Sequence, residues 1–486
     1  MTSAPPAPRT DRPHQAGRSD RAGRADQHVW RVRLLTACVL LTAASFLQGG
    51  GRVVPDTKLD LTLSPAAFLG RALHVWDGGH LGQLQNQAYG YLFPMGPFHL
   101  VLRVLQVPEW VTQRLWWSLV LCTAFLGFWR LARAVGVGGP WTRYLGALLF
   151  ALSPRFLAEI AVTSIEVWPM AVAPWVLLPL VDPTPQRTRL RVLRSALAFG
   201  CIGGVNAIAT GAALVLPTLW WLTRERPARS LRAFAAWLGA CVLAGLWWIG
   251  PLVVLGRYSP PFLDWIENAA ATTGTASPFT ALQGTTHWLS YLRVADGPTW
   301  PAGWVTVTVP ILVVTTTVPA VIGLVGLTLR GLPDRSFWRL GAVVGLVLLV
   351  AGFAGPAHGP FAEDVRTLLD GPLAPFRNIH KFELVLRIPL LIGLVHAVHV
   401  VGTRSSGERS AGPAGPVRWV PRELVAAVTG ILVVAAAAPA VAAMLPRAGA
   451  YEQVAGYWRD VAGWLDEQPG SGSVLVVPAA PAAELT

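Results

Sequence analysis

Long apolar runs separated by short polar segments make up most of the chain between residues 33 and 445. A helix needs about 20 mostly apolar residues to cross a bilayer, because unsatisfied backbone groups are not tolerated in hydrocarbon. The pattern therefore predicts an all-α polytopic membrane protein with about eleven spans. These lie at about residues 33–49, 115–132, 144–161, 167–181, 193–209, 211–223, 233–255, 304–329, 338–355, 383–402 and 423–445.

Composition supports the membrane class. Of the 486 residues, 53% are hydrophobic and 13% are charged, and the mean hydropathy is +0.47, which is too apolar for an ordinary soluble domain. A net charge of +13 is also typical of nucleic-acid binding proteins. Here the arginines cluster in the tail before the first span and in every second connection, as expected for anchors on the cytoplasmic side. No nucleic-acid partner is predicted.

The arginine distribution also predicts orientation and domain organisation. The N-terminus is expected in the cytoplasm, with the loops 50–114, 257–303 and 356–382 outside the plasma membrane. Residues 1–28, rich in Pro, Ala, Arg and Asp, are expected to form a disordered cytoplasmic tail. A transmembrane domain follows at 29–446.

Residues 447–486 are expected to begin an extracytoplasmic soluble domain. An amphipathic stretch at about 451–467 predicts a helix, and Ser473–Pro478 predicts a strand. A single unpaired apolar strand is prone to aggregation, so we interpret the chain as truncated within this domain.

Common soluble-enzyme motifs are absent from the sequence. It contains no P-loop, no dinucleotide-binding glycine pattern, no HExxH and no GxSxG. The four cysteines lie in predicted spans without a CxxC pair, which is typical of core residues. No metal ligands are predicted, and the need for a divalent metal stays open.

Two carboxylates in the first outer loop are the main catalytic candidates. Asp56 and Asp60 follow the first span, and four residues apart they share one face if the segment is helical, with Pro55 in its first turn. The plain alternative is a solvated loop. The same loop is dense in amide and aromatic side chains, which suit sugar binding. The candidates for substrate binding there are Lys58, Gln85, Asn86, Gln87 and Tyr89.

Two further clusters border later spans on the predicted outer side. Glu166 stands beside Trp168 and is a candidate for sugar hydroxyls, or it simply ends a helix. Arg377, His380 and Lys381 place cationic groups where positive charge is unusual, which favours an anionic ligand such as a lipid phosphate. The alternative is that these side chains only anchor lipid headgroups.

Five stretches carry a family resemblance. The chain resembles the N-terminal membrane region of the α-(1→3)-arabinofuranosyltransferases of mycobacterial-type arabinan assembly, from about residue 50 to its end. The stretches are Pro55–Asp60, Gly82–Pro94, Thr112–Trp117, Ala151–Arg155 and Phe376–Phe382.

The resemblance implies a GT-C glycosyltransferase that transfers arabinofuranose from decaprenyl-phosphate-arabinofuranose to cell-wall arabinan outside the membrane. It places the catalytic aspartate at Asp56, with Asp60 as its neighbour. By chemistry, Arg377, His380 and Lys381 are candidates for the donor phosphate. The implied partners are the bilayer, the lipid-linked donor and the arabinan acceptor. A transporter or flippase of lipid-linked sugar and a non-catalytic arabinan-binding scaffold remain alternatives.

Overall fold

The computed structural model is mostly helical in the residues that it describes. These are residues 13–56, 58–77, 83–84, 88–223, 227–258, 266–294, 297–356, 358–404, 421–447, 455–468, 470, 474 and 477.

The N-terminal half of the described chain contains twelve α-helices and a two-stranded antiparallel sheet. The helices are α1 (Pro13–Phe46), α2 (Leu59–Leu63), α3 (Pro65–Ala72), α4 (Met95–Val104), α5 (Glu109–Ala134), α6 (Pro140–Ala151), α7 (Pro154–Glu159), α8 (Ser164–Val181), α9 (Thr188–Gly200), α10 (Ala207–Ala212), α11 (Val215–Leu222) and α12 (Pro227–Tyr258). The strands are β1 (Trp76–Asp77) and β2 (Gln83–Leu84), with a 3-10 turn at Ala88–Leu92.

The C-terminal half continues in the same manner. Its strands are β3 (Arg293–Val294) and β4 (Gly297–Pro298), which pair antiparallel, and its 3-10 turns are Trp288–Tyr291, Ala374–Phe376 and Ile379–Phe382. Its helices are α13 (Ala269–Gly274), α14 (Pro278–Gln283), α15 (Pro301–Thr308), α16 (Pro310–Thr328), α17 (Arg335–Val350), α18 (Ala362–Asp370), α19 (Glu383–Arg404), α20 (Arg422–Val441) and α21 (Gly456–Glu467).

Seven described helices are long and apolar enough to cross a membrane, fewer than the predicted eleven spans. They are Gln27–Phe46, Glu109–Ala134, Ser164–Val181, Leu231–Tyr258, Pro310–Thr328, Ile379–Thr403 and Glu423–Val441. The other four predicted spans form shorter helices. The predicted span 144–161 is interrupted at Ser153, because Pro154 starts α7 and cannot donate a helical hydrogen bond.

The packed interior is built on close helix contacts. A Cβ added to Gly326 of α16 would lie 1.8 Å from the carbonyl oxygen of Gly393 in α19. A Cβ on Gly323 would lie 2.3 Å from the Leu390 oxygen of the same helix. Glycine therefore lets these two backbones touch, which is how helices associate where lipid removes the hydrophobic driving force.

The connections gather at two opposite ends of the bundle. At one end, α19 packs near Val395 against Gly138, and His396 contacts the Arg330 carbonyl, so two arginine-rich connections lie together. At the other end, Asn378 donates to Glu267 over 2.6 Å, which joins the loops 257–303 and 356–382. These contacts agree with the predicted grouping for the two arginine-rich connections and the two loops that they join. Which end faces the cytoplasm stays a prediction.

The chain termini differ in part from expectation. Helix α1 begins at Pro13, so residues 13–28 are helical rather than the predicted disordered tail. Proline suits a first helical turn, and the following Ala, Arg and Gln are strong helix formers. Helix α21 agrees with the helix predicted at 451–467. Of the predicted strand, the structure describes only Val474 and Val477, neither in a strand.

Candidate functional site

Asp56 is buried in an extended segment before α2, with 1% of its surface exposed. Its Oδ1 accepts the backbone N–H of Ser164 at 2.8 Å, and its Oδ2 accepts Trp117 Nε1–H at 3.1 Å. The Ser164 N–H belongs to the first turn of α8, where helical N–H groups lack partners within the helix. A carboxylate suits that position because the helix dipole is positive there. The side chain is therefore held in one orientation.

Helix α5 holds the backbone that carries Asp56. The Gln113 side chain pairs with Val54 like a neighbouring strand, accepting its N–H at 3.0 Å and donating to its carbonyl at 2.8 Å. The Arg114 guanidinium donates to the Gln48 carbonyl at 2.9 Å and lies over the Trp117 ring. One turn of α5 thus positions both the loop and the ring that binds Asp56.

The structure separates Asp60 from Asp56. The predicted helix with Pro55 in its first turn is wrong, because Pro55, Asp56 and Lys58 are not helical and α2 begins at Leu59. The Asp60 side chain is half exposed and pairs with Arg71 at 2.7 Å. The two carboxylates therefore do not form a pair on one helical face.

A second buried group lies at the same end of the bundle. Arg155 Nη1 lies 2.9 Å from Glu159 Oε1, one turn apart on α7, and both side chains are buried. His287 Nε2 lies 3.6 Å from the same oxygen. The His287 ring contacts two other rings in tilted arrangements, with centroid distances of 3.8 Å to His380 and 4.1 Å to Trp300. We call Arg155, Glu159, His287 and His380 the polar cluster.

Helix α8 connects the polar cluster with Asp56. Glu166, two residues beyond Ser164, accepts from Asn206 Nδ2 at 3.1 Å and lies 3.9 Å from Lys381 Nζ. A helix rises about 1.5 Å per residue, so Ser164 and Glu166 are about 3 Å apart along the axis. Lys381 adjoins His380 in the chain and is itself buried. The first turn of α8 therefore contacts Asp56 through Ser164 and Lys381 through Glu166.

Burial shifts the charges of this region towards a net positive value. It raises the pKa of Glu159, outside the seven spans, to about 8 despite the opposing field of Arg155. Burial, together with Arg155 and Lys381, holds the pKa of His287 well below its usual range. At neutral pH, Glu159 is then mostly protonated and His287 is neutral. Lys381 then lies beside the carboxylate of Glu166, the buried Glu383 is paired with Arg387 at 2.6 Å, and Arg155 adds a further positive charge, so this balance favours an anionic ligand.

Glu159, His287 and His380 also bring one oxygen and two nitrogens within 4.8 Å of one another, a distance compatible with a metal ion. The hydrogen bonds favour a different role. Leu289 N–H donates to His287 Nδ1 at 3.2 Å, so the ring proton of the neutral imidazole is on Nε2, which faces Glu159. A metal bound between His287 and Glu159 would need a lone pair on Nε2, where the proton lies. Arg155 already adds positive charge beside the Glu159 carboxylate.

The remaining predicted site residues have varied surroundings. Tyr89 is 3% exposed, and burial raises its pKa to about 12. Lys58 is half-buried at the start of α2. The buried Arg377 lies 3.5 Å from Asp370, whereas Lys381 lies near Glu166. The predicted sugar ligands Gln85, Asn86 and Gln87 lie outside the described residues.

Sequence reasoning missed Arg155, Glu159 and His287 as site residues. A signal for the first two was present, because both fall inside the predicted span 144–161, and ionisable residues within a span indicate function. Their spacing of four residues also places them on one helical face. His287 follows two threonines in a long loop, and no pattern in the sequence connects it with Glu159.

Comparison with known proteins gives a consistent result. Residues 40–486 match the family model described as alpha-(1->3)-arabinofuranosyltransferase, N-terminal GT-C domain. A curated alpha-(1->3)-arabinofuranosyltransferase of Mycolicibacterium smegmatis is 42% identical over 446 residues, which are 90% of this chain and 31% of the relative. One from Mycobacterium tuberculosis is also 42% identical, over 76% of this chain and 26% of the relative.

Solved structures agree with these matches. The cryo-EM structure of the arabinofuranosyltransferase AftD from Mycobacteria is 35% identical with a TM-score of 0.69, and the match covers 90% of this chain and 28% of that chain. The chain therefore spans about a third or less of the length of these relatives.

Proposed function

Because this multi-pass membrane protein belongs to the family of α-(1→3)-arabinofuranosyltransferase N-terminal GT-C domains, we propose that it is the transferase module of such an enzyme. It takes arabinofuranose from decaprenyl-phosphate-arabinofuranose and adds it to cell-wall arabinan. The reaction takes place on the extracytoplasmic face, at the end of the bundle where Asp56 and the polar cluster lie. Family membership favours this function over a transporter or a scaffold.

One observation carries the proposal. The first turn of α8 binds Asp56 through the Ser164 N–H and, two residues later, presents Glu166 beside Lys381. A glycosyl transfer from a lipid phosphate needs a carboxylate near the acceptor hydroxyl and cations near the leaving phosphate. Both kinds of group meet at this helix terminus.

The roles follow from the chemistry of an inverting transfer. The acceptor oxygen forms a bond with the anomeric carbon while the bond from that carbon to the phosphate oxygen breaks. The acceptor proton passes to Asp56, and decaprenyl phosphate leaves with the electron pair. The N–H donors of Ser164 and Trp117 hold the Asp56 carboxylate in a fixed orientation for this proton transfer. Lys381 and Arg155 stabilise the departing phosphate, with His380 and Arg377 as further candidates.

The acceptor is expected on the side of the first outer loop. Gln85, Asn86 and Gln87 of this loop are the candidates for binding sugar hydroxyls through their amide groups, whereas Tyr89 is buried and supports the loop from within. Glu166 accepts a hydrogen bond from Asn206, which orients its carboxylate for a further hydroxyl. Lys58 precedes α2 in the same loop. Asp60 is not assigned to catalysis, since Arg71 already pairs with it at the surface.

The test is transfer of labelled arabinofuranose from decaprenyl phosphate to a short arabinan acceptor in proteoliposomes. Asp56→Asn keeps the shape of the side chain and should lower transfer by about a hundredfold or more, as expected for loss of a general base. Asp60→Asn is the matched control and should retain activity within a few-fold.

Three other outcomes would contradict the proposal in different ways. Equal transfer by wild type and Asp56→Asn would remove Asp56 from catalysis. Equal loss in both variants would indicate a general effect of acidic residues in this loop. Movement of the labelled lipid across the bilayer without transfer to the acceptor would favour a flippase.

A further inference from the structure

A groove of about 390 Å³ lies between α9 and α12, away from Asp56 and the polar cluster. Both helices begin after arginine-bearing segments, and the groove brings the first turn of α9 beside the second turn of α12. The walls of the groove are mostly apolar, with small side chains on α12 and larger ones on α9. The groove is lined by Thr188, Arg189, Val192, Leu193, Arg232, Ala233, Ala236 and Ala240.

Two guanidinium groups border the groove at one end. Arg189 and Arg232 are both exposed, and neither has an acidic partner within the part of the chain that the structure describes. Their neighbours differ. Arg191 donates to the Leu180 and Thr184 carbonyls, and Arg194 donates to Gln186. The two groove arginines are therefore available for an external anion.

The apolar part of the groove extends away from these charges. From Arg232 to Ala240 the α12 axis advances about 12 Å at 1.5 Å per residue. Ala233, Ala236 and Ala240 recur at the spacing of one helical face, which leaves room for a slender chain against Leu193. A site with cations at one end and a narrow hydrocarbon wall beyond them matches an anionic lipid.

We propose that this groove binds an anionic glycerophospholipid of the surrounding bilayer. Its phosphate lies between Arg189 and Arg232, and the first part of one acyl chain follows the alanine face of α12. Basic pockets between membrane helices recognise anionic headgroups in this way. The positive end of the α9 dipole also lies at Thr188 and Arg189, beside this position. The site is independent of the transferase reaction and does not rest on the proposed function.

Native mass spectrometry of the purified 486-residue chain tests the proposal, with phosphatidylglycerol and phosphatidylcholine of identical acyl chains as probes. The wild type should retain phosphatidylglycerol preferentially. Each arginine near an anionic lipid contributes about a fivefold gain in affinity, so Arg189→Gln with Arg232→Gln should weaken retention roughly thirtyfold. Ala236→Trp should block retention without changing the charge.

The matched control is Arg330→Gln with Arg335→Gln, which removes the same charge from another connection at this end of the bundle. It should retain phosphatidylglycerol like the wild type. Equal retention by wild type and the Arg189 and Arg232 variant would overturn the proposal. So would equal retention of both lipids by the wild type, or an equal loss in the control, which would indicate only a diffuse charge effect. Circular dichroism of each variant identifies misfolding, and Ala236→Trp provides an independent test if the arginine variant misfolds.

Discussion

The protonation state of Glu159 offers a direct test of how the polar cluster is organised. Burial raises its pKa from 4.5 to about 8, so the neutral acid predominates at pH 7 even with Arg155 Nη1 at 2.9 Å. Glu159→Gln reproduces the shape and hydrogen-bonding ability of the neutral acid. The substitution should therefore preserve the fold at neutral pH.

The expected magnitude follows from proton linkage. The folded chain keeps the Glu159 proton up to about pH 8, whereas the unfolded chain loses it near 4.5. Across that interval the folded state binds more protons, so raising the pH lowers the free energy of unfolding. A shift of about 3.5 pKa units corresponds to about 5 kcal/mol in total, or about 1.4 kcal/mol per pH unit. Glutamine removes this dependence.

The assay is denaturant unfolding in detergent micelles at pH 5.5, 6.5 and 7.5. Relative to wild type, Glu159→Gln should gain about 3 kcal/mol between the lowest and the highest pH. Glu363→Gln serves as the control, since that side chain is 77% exposed, and its pH profile should parallel that of the wild type. If Glu159 is instead ionised and paired with Arg155, glutamine should cost about 3–5 kcal/mol throughout. That result would refute the assignment of a neutral acid.

Two further predictions concern a buried histidine and the helix packing. The pKa of His287 is lowered, so the unfolded chain binds a proton below pH 6.5 that the folded chain does not, and stability falls as the pH drops. His287→Gln should flatten that acid limb of the unfolding profile, whereas the exposed His358→Gln should leave it unchanged. Gly326→Ala should cost about 1–3 kcal/mol or more, because its Cβ meets the Gly393 oxygen at 1.8 Å. Gly239→Ala, with open space around the Cβ, should be neutral or stabilising in the same unfolding assay, and equal effects of the two alanines would contradict the close contact.

Local signals along the chain were sufficient for the class of fold. Spans such as 233–255 and 383–402 were predicted correctly, because hydrocarbon requires continuous apolar helices and the pattern is visible in each segment by itself. The shared ends of the loops followed from alternating arginine clusters in the same way. The count of spans was too high at 144–161, where Pro154 interrupts the apolar run, since hydropathy does not detect a missing hydrogen-bond donor.

The candidate site was predictable only in part. Asp56, Glu166 and Lys381 were named from residue type and position, and the structure brings all three to the first turn of α8. The supposed pairing of Asp56 with Asp60 was wrong, because Asp56 is buried against the Ser164 N–H while Asp60 pairs with Arg71 at the surface. A partner 108 residues away in the chain outweighed the local helical spacing.

The sequence by itself thus determined that this is a helical membrane protein of its family, with a carboxylate and several cations at the loop end. The tertiary structure alone decided that the His287 and His380 rings contact each other beside Glu159, and that burial there leaves positive charge in excess. Hydrophobic periodicity is a property of neighbouring residues, so it can be detected along the chain. Desolvation and charge coupling depend on which distant segments meet, so they arise only once the chain has folded.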